Sequence, residues 1–66
     1  MRAWYHSDSG LDADLCLLLS GEGTRVIIRK GYETVSRRIY PTWETAIESL
    51  KTLGHEWIND LTGKPL

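Results

Sequence analysis

DLCLLLSGEGTRVIIRK, Asp14 to Lys30, holds two apolar runs separated by a polar, glycine-bearing break, and the fold depends on how those runs pair. With Glu22-Gly23 as a two-residue hairpin turn, glycine takes the position that tolerates a positive φ. Leu19 is then predicted opposite Val26, and Leu17 opposite Ile28. Leu15, Leu17, Leu19, Val26 and Ile28 share one wholly apolar face. A three-residue loop would set Leu19 against Arg25 and Leu17 against Ile27, mixing charge into the core. Side chains alternate with a period of two, so burial selects the first register.

The same logic extends in both directions. A second tight turn at Gly31 carries the chain into ETVSRRIY and brings Val35 and Ile39 to the apolar face. Pro41 ends that strand, and Thr42 is the predicted N-cap of a helix running to about Leu53, with Gly54 as its stop. Trp43, Ala46, Ile47, Leu50 and Leu53 recur at the spacing of one apolar stripe, which must cover the sheet. Upstream, RAWYH reads as a short aromatic strand. Downstream, HEWINDLTGKPL offers one short extended piece around Trp57 and Ile58. The expected fold is α+β: residues 1–66 as a single small domain, an antiparallel meander of three to four strands, one C-terminal amphipathic helix on one face, and a short extended tail.

Sixty-six residues leave no room for a second core, and a chain this short buries only about 60 % of its unfolded surface. Cys16 is the sole cysteine, so no internal disulfide can help, and its apolar setting is that of a small buried hydrophobe in a reducing compartment. LCLLL is too short to span a bilayer. These features predict a cytoplasmic protein without a membrane segment. The net charge of −1 hides a segregation: residues 24–40 carry a balance of +4, between flanks of −3 and −2.

HSDSGLDADLC, His6 to Cys16, is the one stretch with the letters of a chemical site. Asp12 and Asp14 do not follow calcium-loop spacing, and no second histidine lies nearby for zinc. Neither Ser7 nor Ser9 sits in a nucleophile elbow. Asp, Ser and Gly between two apolar strands are what a turn needs, because their side chains bond local backbone groups. His55 reads as a helix-end side chain, and the terminal GKPL lacks the glycines of a phosphate loop. No catalytic residue, metal or cofactor is expected.

The face away from the helix is the informative one. Alternation gives it Arg25, Ile27, Arg29, Thr34, Ser36, Arg38 and Tyr40, with Cys16 and Leu18 beside them, and of these Arg25, Ile27, Arg29, Ser36, Arg38 and Tyr40 are the expected binding residues. Arginine and aromatics around an apolar strip are what binding surfaces are enriched in; arginine stems snorkelling over Ile27 to keep the sheet soluble is the plainer reading. Two functions follow. One is a protein-binding adaptor or inhibitor with a partner of acidic or mixed surface. The other is a nucleic-acid binder using the same face, against which stand the pI of 6.0 and the acidic flanks. Facing arginines would repel across a twofold, predicting a monomer or weak homodimer. The order of three strands and a helix in TRVIIRKGYETVSRRIYPTWETAIESL resembles integrase arm-binding domains and the APETALA-type domains of plants, whose sheet enters the major groove. It also resembles very small phage-encoded inhibitors, including certain anti-CRISPR proteins. That resemblance covers about half the chain and implies a nucleic-acid or a host-protein partner respectively.

Overall fold

The computed structural model describes Met1–Leu66. It contains strands β1 (Arg2–Ser7), β2 (Leu11–Leu17), β3 (Thr24–Lys30) and β4 (Glu33–Tyr40), helix α1 (Trp43–Thr52) and strand β5 (Trp57–Asn59). All strands join one five-stranded sheet in the order β4-β3-β2-β1-β5, with every neighbouring pair antiparallel. The expected α+β class holds, with two differences. There are five strands rather than three or four, and the extended piece around Trp57 and Ile58 joins the sheet as β5, so the helix is not C-terminal. β5 returns to the far side of β1, setting Ser7 opposite Trp57 and Tyr5 opposite Asn59. Residues beyond it fold back over its free side: Leu66 N donates to Trp57 O and Asn59 N to Lys64 O, both at 2.9 Å.

The helix begins and ends where its capping residues dictate. Thr42 Oγ1 accepts from Thr45 N at 3.1 Å, and Thr45 Oγ1 accepts from Thr42 N at 3.1 Å, so two orphan donors are satisfied reciprocally. Leu53 is the C-cap, and Gly54 follows with φ 79, the left-handed turn that glycine enters without a Cβ penalty. Ala46 and Leu50 are buried on the sheet side; Trp43 and Ile47 pack at the margin. Leu53, predicted to complete the stripe, is 49 % exposed.

The core joins those two helical residues to Tyr5, Ala13, Leu15, Val26, Ile28 and Trp57. Trp57 also donates its indole N–H to Leu50 O at 3.0 Å, tying the end of the helix to β5.

The β2–β3 hairpin keeps the expected faces but not the expected register. Leu15 lies opposite Val26, Ala13 opposite Ile28 and Leu17 opposite Thr24. The connection therefore spans Leu18 to Gly23, not the two residues Glu22-Gly23. β2 is a central strand, and Leu17 N donates to Met1 O at 2.9 Å. Beyond Leu17 the chain enters the turn, where Leu18 N still donates to Gly23 O at 2.9 Å. Leu19 is fully exposed, and Leu17 is 38 % exposed. Ala13, opposite Ile28 and 1 % exposed, takes the core position.

A second correction concerns β4. The turn at Gly31 (φ 62) is tight as expected, with Lys30 opposite Glu33 and glycine at the first central position that a type II′ turn favours. The register then shifts between Ile28 and Arg29: Arg29 faces Thr34, but Ile28 faces Ser36. Val35 is the extra residue of a β-bulge, and one extra residue inverts every side chain beyond it. Ser36, Arg38 and Tyr40 move to the helix side, opposite Ile28, Val26 and Thr24, while Arg37 and Ile39 move to the other. Tyr40 gains the packing against the core cluster that Ile39, 55 % exposed, gives up.

Candidate binding face

The single helix lies on the side of Val26 and Ile28, so alternation leaves the side of Arg25, Ile27 and Arg29 uncovered. Cross-strand pairing sets their neighbours. Arg25 lies between Cys16 and Ile39, Ile27 between Asp14 and Arg37, and Arg29 between Asp12 and Thr34. Farther along the sheet come Arg2, Trp4 and His6, opposite Cys16, Asp14 and Asp12. Asp60 reaches this face and contacts His6 Nδ1.

Of the six residues expected to form one binding surface, the structure brings together Arg25, Ile27 and Arg29. It separates Arg38, Tyr40 and Ser36, which line a groove on the helix side. Arg37, Ile39 and Trp4 belong to the uncovered face and were not among those six. Arg37 and Ile39 were hidden by the bulge, for which the run of residue types carries no signal. Trp4 was legible: Arg2, Trp4 and His6 alternate with Ala3, Tyr5 and Ser7, and the smaller and more apolar set faces the core.

The face is electrostatically divided. On the β1–β2 side, Arg2 forms a two-pronged pair with Asp14, Nε to Oδ1 at 3.2 Å and Nη2 to Oδ2 at 2.9 Å. That hydrogen bond, helped by the charge of Asp14, raises the guanidinium's affinity for its proton above the ordinary arginine value. The same guanidinium stacks 5.1 Å from the centre of the Trp4 ring. On the β3–β4 side, Arg25, Arg29 and Arg37 make no ion pair with any carboxylate; even Arg29, directly opposite Asp12, is unpaired. Ile27 is buried among them on a side no helix covers, which fits arginine stems lying flat across it. Arg25 Nε is itself buried and has no hydrogen-bond partner, a desolvated donor that costs stability as it stands.

Of the His6–Cys16 stretch only Asp8–Gly10 is a connector; His6 and Ser7 end β1, and Leu11–Cys16 belongs to β2. Gly10 (φ 85) closes the β1–β2 turn, and Ser7 Oγ accepts from Leu11 N at 2.9 Å. Ser9 Oγ contacts Ser7 Oγ at 3.0 Å and His55 Nδ1 at 2.9 Å, so the loop is tied to the chain just past the helix. No three metal-binding side chains converge anywhere. No helix is long and apolar enough to cross a membrane. Comparison with protein families, with curated proteins and with solved structures gives no match.

Proposed function

We propose that this protein is a small non-enzymatic binding module, an adaptor or inhibitor, that engages a protein through the uncovered sheet face. The observation that carries the reading is the group Arg25, Arg29 and Arg37, none paired with a carboxylate, around buried Ile27 and beside exposed Ile39. Unpaired arginines over an apolar floor form an anchor for carboxylates flanking an apolar ridge, with the arginine fork supplying the geometry. Asp12 and Asp60 on the same face favour a protein of mixed charge over a phosphate backbone, which would meet both carboxylates unfavourably.

The test is retention of a partner from an extract by the immobilised chain, compared with Arg29→Glu, Arg37→Glu and Lys64→Glu. Like charges brought together across an interface cost several kcal/mol, so the two face reversals should abolish retention while Lys64→Glu keeps it. Equal retention by all three would remove this face from the reading. A gel shift with random DNA or RNA at low salt, weakened evenly by each arginine lost, would replace the protein partner with a nucleic acid.

A further inference from the structure

The bulge that takes Ser36, Arg38 and Tyr40 off the uncovered face gives them to a separate feature. α1 and β4 do not close against each other. Between them lies a groove of about 380 Å³, more than twice the roughly 150 Å³ that accommodates a benzene ring and within the range of small-molecule sites. Its apolar walls include Leu11, Val26, Ile28, Val35 and Leu53.

Its polar lining is one-sided. Ser49 and Thr52 spend their hydroxyl protons on the helix backbone, at Ala46 O and Ser49 O. Arg38, Ser36 and Tyr40 make no hydrogen bond from their side chains. No carboxylate lines the groove. The remaining polar residue is His55, whose Nδ1 is engaged by Ser9 Oγ at 2.9 Å. One cation, Arg38, and the unbonded hydroxyls of Ser36 and Tyr40 line an apolar floor with no carboxylate beside them.

We propose that this groove binds a small monocarboxylate with a bulky apolar body. The body packs against Leu11, Val35 and Leu53, and the carboxylate meets the fork of Arg38, with Tyr40 and Ser36 available as further donors. A single guanidinium meets one carboxylate bidentately, and Arg38 is the only lysine or arginine in the lining, which matches a ligand of one negative charge.

Naphthylacetate is the probe, titrated into labelled protein and followed by the methyl resonances of Leu11, Val26, Ile28 and Val35. One saturable site confined to those methyls is expected. Naphthylethanol, the same body without the carboxylate, should bind about tenfold more weakly, the loss of one charge-assisted contact, and naphthylethylamine more weakly than the alcohol. Arg38→Gln, at an exposed position, should reduce naphthylacetate to the alcohol's affinity and leave the alcohol unchanged. Equal affinities for acid and alcohol, shifts at Ile27 or Ile39 instead, or no saturable shift would each overturn the proposal.

Discussion

Replacing Leu15 and Leu17 by alanine, one at a time, separates the two possible registers of the β2–β3 hairpin. Leu15 is 0 % exposed and Leu17 38 % exposed. Truncating a fully buried leucine removes its transfer free energy and leaves a cavity, together about 3–4 kcal/mol. Leu17 keeps only part of the transfer term and opens no closed cavity, so its loss should be about 1 kcal/mol. For 66 residues, total stability is expected at roughly 3–10 kcal/mol, so Leu15→Ala removes a large share of it. With a urea slope of about 1 kcal/mol per molar for so small a chain, the midpoint should fall by about 3 M for Leu15→Ala and about 1 M for Leu17→Ala. Far-UV circular dichroism and tryptophan fluorescence should report the same midpoint. Leu19→Ala, at a fully exposed position, should move it by less than about 0.5 kcal/mol. Equal losses at Leu15 and Leu17, or a clear loss at Leu19, would restore the two-residue turn at Glu22-Gly23 and refute this register.

Thr24 Oγ1 is buried without a partner, so Thr24→Val should stabilise the fold by about 1 kcal/mol, read as a raised urea midpoint; a lowered one would mean the hydroxyl is bonded. Trp57→Phe removes the indole N–H bond to Leu50 O, which keeps its bond from Leu53 N, and should cost about 0.5–1.5 kcal/mol for that bond in the same titration. Gly23 has φ 116, and a Cβ there would overlap Tyr40 O. Gly23→Ala should therefore lower the melting temperature far more than Gly21→Ala, whose Cβ meets nothing within 4 Å. Dialysis against a chelator should leave the melting temperature unchanged, because no coordination sphere closes; a drop reversed by one cation would return His6 and Asp8 to consideration as ligands.

What was legible in the sequence was local. Thr42 and Gly54 mark the helix because capping chemistry is decided within one turn, and the β-branched run at Arg25–Arg29 marks β3. What was not legible depends on distant partners. β2 ends where Leu17 pairs with Thr24 and the chain turns through Leu18–Gly23, so an apolar pair such as Leu18-Leu19 falls outside the strand. β5 exists only because residues near the two ends of the chain meet, and no pattern within Trp57–Asn59 encodes that meeting. The division of the expected site follows from one bulge at Val35. Arg25, Ile27 and Arg29 lie on the same strand and stay together, whereas Arg38 and Tyr40 reach their positions through the register of β4.

The sheet is extensible from one side only. At β5 the backbone is occupied by the returning residues, with Ile58 bridged to Pro65, whereas β4 offers eight residues with no strand beyond them. Strand-by-strand growth into a fibre needs two free edges per copy. A chain with one can pair through it once, about a twofold axis, and both edges are then consumed. Pairing through the β4 edge alone joins two copies and leaves no such edge for a third.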